Sequence, residues 1–569
     1  MIFLVKHTGL FVRQPNGRTS LKYFSKTIAG DRFKPLAGNT LTGRFLLYLN
    51  NFNSIEEPAK LDSCSLINTL KYHPRDVVKL ETTGVVKALT LLPDRKFVQN
   101  KQDYTKLLNL IDGECCDRLA SQDVTGIIRL LHSFMSANPN RLTETRYFSL
   151  ALDDLIKTCD KLSKNELVQV IFFIGLLKKC SKAQYMLRIC LNKFNKQFIN
   201  ELTQEDLCII CNSTFKTSTK IKNKGLLEKV KCHISQNLFI LNDPAIFVTL
   251  IKTLRHNRYQ DEDLLNTITC TMFFNKTIND YSFTAISHVL ALYSDYLYHH
   301  ETVLKILSEE SIRKLKSNQY KAKDTYLIDQ PRTKDIKRFL WALSNLNYKL
   351  AKEDIETVII PQIVNRIKSG ECENNPGSFV DIALYLWMMH YKAYNLIKHV
   401  LTKENISVMR ATNPTSIRSM NLLLVCIFYE DAELYTSLNL CPDNRNNYDM
   451  NIQLQKRPLL NEIMANLKLI SLENHIDKYQ SQCQVPYINI IGITGYHKKV
   501  YKSINIEILD DYTCLKNTDS LPTGLMELKL RILEKCDEAL ITVNCIFLVF
   551  SCLIVVICTF YRYNILDKV

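Results

Sequence analysis

Glycine and proline are both scarce, 15 of each in 569 residues. Few positions can therefore supply tight or left-handed turns, which argues against a many-stranded β architecture and for helices. The chain also lacks a glycine-rich phosphate loop, a His-Arg-Asp catalytic loop and an Asp-Phe-Gly sequence. Phosphoryl transfer of the protein-kinase kind needs all three, so that class is set aside. Gly492-Ile-Thr-Gly495 is too short for a P-loop. No secretory signal is evident, because Lys6 interrupts the opening apolar run. Residues 1–30 contain no Asp or Glu, but they carry Lys6, Arg13, Arg18, Lys22 and Lys26 among several Ser and Thr. That is the composition of a mitochondrial transit peptide. Residues 31–60 read as a linker.

What is present is a globular composition with a basic excess. Lys and Arg outnumber Asp and Glu for a formal net charge of +16. Such an excess suits a polyanion, either nucleic acid or an anionic membrane surface. Nineteen cysteines are scattered through apolar helical stretches such as those holding Cys159, Cys180, Cys190, Cys270 and Cys426. They read as reduced thiols that pack as small hydrophobes. Cys208-Ile-Ile-Cys211 has metal-ligand spacing, but it lies in an apolar helix with no second ligand pair nearby.

Residues 61–330 repeat a phrase in which an apolar residue, a few polar residues and a second apolar residue open a helix. It occurs at Leu119–Val124, Leu162–Leu167, Leu202–Leu207, Leu241–Ile246 and Ile278–Phe283, with the last residues 43, 40, 39 and 37 apart. Ser121, Ser163 and Thr203 are the expected N-caps. A period near 40 built of helix pairs predicts an α-solenoid. The next opener, Asp335-Ile336, follows a polar Ser317–Lys334 stretch expected to be a loop. Glu371–Ser378 is a second expected loop, and Asp443–Gln455 a polar boundary. Between repeats lies a lysine cluster of Lys216, Lys220, Lys222, Lys224, Lys229 and Lys231, followed by Arg255, His256 and Arg258. These are the candidate phosphate contacts, and exposed aromatics on such a surface would stack on unpaired bases.

Near the C-terminus the pattern changes. Ile504-Asn-Ile-Glu507-Ile-Leu-Asp510 alternates like a half-buried strand and ends in acids. A helix is expected from Gly524, with Leu525, Leu528, Ile532 and Leu533 on one face and Lys529 and Arg531 off it. Ala539–Val543 can form a further strand. The expected unit starts at Pro486 and gathers acidic and basic groups at one rim. From Ile541 to Tyr561 no residue is charged. Three readings of residues 545–569 stay open: a membrane anchor, an altered end, or a buried core element.

The run Ile-Glu-Ile-Leu-Asp, then Gly524, then Leu-Lys-Leu-Arg-Ile-Leu-Glu534, then Ile-Thr-Val543 resembles the RAP domain, an RNA-binding domain. Asp335-Ile-Lys-Arg-Phe-Leu-Trp341-Ala-Leu-Ser-Asn-Leu-Asn-Tyr348 resembles the first block of the FAST-kinase-domain family. Leu438-Asn-Leu-Cys441-Pro442 resembles the short segment between that block and RAP. The resemblance covers roughly residues 330–544. It implies a FAST-type helical block over 331–440, a second FAST-type segment over 441–485 and a RAP-like domain over 486–544. It further implies a protein of the mitochondrial matrix that binds mitochondrial RNA and acts in transcript processing or stability, without a cofactor. The RAP domain resembles the restriction-endonuclease-like fold. This opens an alternative, a Mg²⁺-dependent endoribonuclease using Glu507 and Asp510 as metal-binding acids and Lys529 as the assisting cation. The acid-x-Lys pair expected on one strand is broken here, since Leu509 follows Glu507 at the lysine position. The other reading of the same residues is structural, with Glu507 and Asp510 paired to Lys529 and Arg531. A membrane-anchored scaffold is the third function class.

Overall fold

The computed structural model describes residues 40–51, 74–91, 101–137, 139, 141–236, 243–275, 277–319, 331–443, 449–470, 476–497, 503–536 and 539–544. The expected transit peptide and the apolar tail 545–569 lie outside them. The chain divides into two compact units, residues 1–236 with 252–259, and residues 237–251 with 260–569. Both are mainly helical, and the second ends in a small four-stranded mixed sheet.

In the first unit the helices form two layers. Thr82–Leu91 packs on α1 (Val124–Ala137), α1 on α2 (Lys164–Leu176), and α2 on α3 (Gln204–Thr217). Lys101–Arg118, Arg146–Lys157 and Ser181–Asn192 stack beside them. α4 (Pro244–Asn257) is divided, with residues 252–257 in this unit and 244–251 in the second. The helix starts come from local chemistry. Ser163 accepts from the Glu166 amide while the Glu166 carboxylate accepts from the Ser163 amide, a capping box. Thr203 and Asp206 form a second one. At α1 the expected cap, Ser121, instead donates to the Arg118 carbonyl, and Asp123 caps by accepting from the Gly126 amide at 2.8 Å. Asp123 lies one residue before the first helical residue, the position from which a side chain reaches the third amide. Residues 31–60 also depart from a plain linker, since Leu41–Asn50 is a helix. Thr40 caps it, and Phe45, Leu46 and Leu49 bury one face.

Without glycine to spare, the helices end on other residues in the left-handed conformation. Lys178, Ser218 and Arg258 have φ of 57°, 57° and 54°. Thr219 N–H reaches the Thr214 carbonyl at 2.9 Å, and Tyr259 N–H the Leu254 carbonyl at 3.0 Å. These are the six-to-one bonds of a Schellman turn. In the second unit the same turn recurs at Leu297, Asn347 and His390, closed by Tyr298, Tyr348 and Tyr391.

That unit stacks α5 (Phe283–Asp295) on α6 (Thr333–Asn345), α6 on α7 (Pro376–Met388) and α7 on α8 (Pro414–Glu430). Both ends of the expected loop 317–334 are helical, and residues 320–330 lie outside the described ones. The preceding helix runs to Gln319 and α6 starts at Thr333. Glu371–Ser378 is likewise not an open loop, because a short helix spans Glu371–Asn374 and Pro376 opens α7. Proline fits there because the first helical amide has no partner to lose. The polar boundary is also partly helical, Met450–Gln455, capped by Asp449.

The terminal α/β body comprises α9 (Pro458–Ile470), β1 (Ile476–Gln482), β2 (Gly492–His497), β3 (Ser503–Leu509), α10 (Gly524–Leu533) and β4 (Ala539–Asn544). β1–β2 and β2–β3 are antiparallel, and β3–β4 is parallel through the α10 crossover. A start at Pro486 would omit β1 and α9, both part of this body. Ile504, Ile506 and Ile508 pack with Tyr479, Ile493 and Val543 against Leu460, Ile463 and Leu467 of α9. β3 was expected to be half-buried, yet both of its faces are covered. The crossover helix accounts for this, since a parallel pair needs a long connection that lies on the sheet.

Candidate nucleic-acid interface

The acidic and basic groups expected at one rim of the α/β body are split into separate structural pairs. Glu507 projects from β3 onto the α10 side, where its Oε1 accepts from Lys529 Nζ, and both side chains are fully buried. Desolvation pushes the Lys529 ammonium below its ordinary pKa, while the Glu507 charge works against that. Lys529 is thus part of the inner face of α10, not off it as expected, because four residues from both Leu525 and Leu533 it shares their side of the helix. Asp510 is occupied elsewhere. Its Oδ1 accepts from the Tyr512 and Thr513 amides at 3.1 Å each, and its Oδ2 from Arg457 Nε at 2.9 Å. Arg457 is almost fully buried, and its Nη2 also donates to the Ile508 carbonyl. Sequence reasoning missed Arg457, whose only visible signal was an arginine directly before the proline that opens α9.

Arg531 grips the helical stack. Its Nε donates to Glu430 Oε1 at 2.5 Å and its Nη2 to the Trp387 carbonyl at 3.1 Å. Both acceptors lie at the C-terminal ends of α8 and α7, where a cation is favoured. The remaining latches follow the same logic. Lys516 N–H donates to the Leu297 carbonyl at 2.7 Å, and His299 N–H to the Lys516 carbonyl at 3.1 Å. Asn347 Nδ2 donates to the Pro522 carbonyl at 3.2 Å. At Gly524 the space for a Cβ is taken by the Ser344 carbonyl oxygen. The left-handed turns at Leu297 and Asn347 are therefore contacted by the α/β body, while His390, just past the carbonyls that Arg531 holds, stays exposed.

The equivalent turns of the first unit carry cations. Lys178 and Arg258 are the left-handed residues themselves, and Lys220 lies two residues beyond Ser218. Lys216 is half-buried and donates to Thr42 Oγ1 at 3.2 Å. Burial and the Lys178 charge push its ammonium below the usual lysine range. Burial and Lys220 likewise lower His256, against a backbone hydrogen bond at Ser218. Neither shift involves a carboxylate. Phe215, in the last turn of α3, is 42% exposed, with Lys252 Nζ 5.6 Å from its ring centroid. Lys178, Lys252 and the Phe215 ring were not visible as a group in the sequence. The 40-residue spacing of Lys178, Ser218 and Arg258 was the signal that could have joined them.

The rest of the lysine cluster divides. Lys220, Lys222 and Lys224 are exposed. Lys229 donates to the Asn200 carbonyl at 3.3 Å, and Lys231 lies 3.6 Å from Glu228. Arg255 and His256 are half-buried, while Arg258 is exposed.

Among the described residues no group of three or more His, Cys, Asp or Glu is placed to hold a metal ion. Glu507 and Asp510 do not fit a shared cation, because each already faces its own buried base. Cys208 and Cys211 are fully buried in the core. Every described cysteine is a free thiol, but Cys180 and Cys270 are exposed, not packed as expected. Among the described residues no helix is long and apolar enough to cross a membrane. Leu440 and Cys441, of the Leu438–Pro442 segment, line a cavity of about 280 Å³ with Lys403, Arg410, Met420 and Leu424.

Comparison with protein-family models and with curated proteins finds no match to this chain.

Proposed function

We propose that the protein binds single-stranded mitochondrial RNA and acts in the processing or stability of transcripts, as the FAST and RAP resemblance implies. The observation that carries this reading is the crowding of Lys178, Lys216, Lys220 and His256 around the turns that end α2, α3 and α4. Burial first, and the Lys178 charge second, disfavour the Lys216 ammonium, and a polyanion drawn to these lysines would offset that cost. The stacked helix pairs support an α-solenoid, whose edge presents such turns at regular intervals. The mixed sheet with its crossover helix supports a RAP-like C-terminal body of restriction-endonuclease-like type. In this reading the body completes the array and contributes no catalysis, because its acids are neutralised by buried bases. Lys529 and Arg531 then hold structure instead of touching RNA, so the RNA contacts fall to the lysines of the first unit.

The reading is tested by crosslinking the protein to RNA in intact mitochondria and sequencing what is bound. Enrichment at discrete sites on mitochondrial transcripts is expected. A profile no different from a crosslinked control overturns it.

A further inference from the structure

A lone exposed phenylalanine is ordinary surface. Phe215 is distinguished by its surroundings. Thr214 and Thr217, on the same helical turn, are fully buried, so α3 is held firmly against its neighbours. Lys252 sits over the Phe215 ring, and the His256 ring meets it edge-on, with centroids 6.3 Å apart and planes at 80°. Lys216 is adjacent in sequence, and Lys220 lies just past the turn. A cation over the ring and an imidazole nearly perpendicular to it hold it in one orientation.

Cations alone would suit any polyanion. A flat apolar ring set among them adds a preference for a polyanion that carries aromatic rings of its own, and that is nucleic acid. We propose that Phe215 is a stacking platform for one unpaired base of single-stranded RNA, with Lys216, Lys220 and Lys252 holding the flanking phosphates. This rests on the RNA-binding reading and adds to it a named contact and a strand preference. Every base has a π-face, so the platform is tolerant of sequence. Bases inside a duplex have no free face to offer, so the platform selects single strands.

The test measures binding of the full-length protein to a labelled single-stranded RNA, and to the same strand annealed to its complement. Phe215→Leu keeps an apolar side chain at this half-exposed position but removes the π-face, while Phe215→Trp keeps a larger one. Lys216→Glu with Lys220→Glu removes phosphate contacts. Circular dichroism establishes that each variant is folded. Phe215→Leu should weaken single-strand binding on the order of tenfold, the loss of one stacked base. It should leave duplex binding and the salt dependence unchanged, and Phe215→Trp should bind at least as well as wild type. If Phe215→Leu binds the single strand like wild type while the lysine variant is weakened, the platform is wrong and RNA binding stands. Equal weakening on single strand and duplex also overturns the platform. If neither variant changes binding, the RNA-binding site itself has been misassigned.

Discussion

Lys529 of α10 donates to Glu507 of β3 inside the α/β body, where neither side chain reaches solvent. The pair ties the crossover helix to the strand beneath it. Next to it, Thr494 donates to Asn505 Oδ1 at 3.1 Å and accepts from Gln482 Nε2 at 2.8 Å. One face of the sheet is thus apolar against α9, while the other is held by polar contacts. The second Glu507 oxygen has no donor among the described residues.

Breaking this pair from one side strands a charge in the interior. Lys529→Met or Glu507→Leu alone should each destabilise by about 3–5 kcal/mol. The double substitution should recover much of that loss, because two apolar side chains leave no unpaired charge. Urea denaturation of the four proteins gives the coupling. Additive losses would mean that the pair does not exist in solution.

Much of the α/β body was legible because β3, α10 and β4 carry strong periodic patterns and Gly524 marks a helix start. The roles of the charges were not legible. A helical wheel places Lys529 beside leucines, but only the position of Glu507 on the strand beneath explains why a lysine belongs inside. Asp510 was read as a partner of Lys529 or Arg531, whereas its cation, Arg457, comes from 53 residues upstream. The helix starts at Ser163 and Thr203 were readable because capping is local. The ends at Lys178, Ser218 and Arg258 were not, because glycine, the usual signal of a left-handed turn, is absent from them.

Gly524 predicts how the α/β body docks. A methyl group there has no room against the Ser344 carbonyl oxygen, which is backbone at the end of α6 and cannot rotate away. Gly524→Ala should push α10 off the helical stack and weaken the contacts of Arg531 with Glu430 and of Asn347 with Pro522. Hydrogen exchange should rise at the amides of Leu515, Lys516 and Thr523 while α1–α3 stay protected. Unchanged exchange at those amides would show that the approach is not close.

Arg258 gives a converse case. It is an exposed residue held at φ 54°, a conformation that strains any side chain with a Cβ. Arg258→Gly should therefore stabilise the fold by about 1 kcal/mol, the strain of one left-handed residue, less glycine's extra entropy in the unfolded chain. Thermal denaturation at neutral pH measures this. A fall in melting temperature would show that the arginine side chain contributes more than the turn costs.

His132 sets an acid limit on the first unit. It is buried, with Nε2 2.9 Å from Gln169 Oε1 and its ring against Phe173. Desolvation lowers its pKa from 6.5 to about 4, although the hydrogen bond to Gln169 works the other way. The folded state therefore holds a neutral imidazole where the unfolded chain is protonated. Stability is full above pH 6.5, falls as the pH drops toward 4, and loses roughly 3 kcal/mol over that window at 1.36 kcal/mol per unit. His132→Gln, neutral throughout, should flatten this part of the stability profile. An unchanged slope would place the acid sensitivity on other groups.

The lysines of the first unit predict a salt signature. Each phosphate neutralised on a single strand releases counterions, so log affinity falls with log salt by about 0.7 per contact. Lys216, Lys220 and Lys222 lie within seven residues, and Lys220 and Lys222 are exposed. Replacing the two exposed ones, Lys220 and Lys222, by Gln should weaken RNA binding and reduce the slope by about 1.4, two contacts at 0.7 each. The same change at Lys229 and Lys231, which already face the Asn200 carbonyl and Glu228, should move the slope less. Binding titrated across a salt series measures both. Equal slopes for the two variants would mean that the RNA does not follow the turn that ends α3.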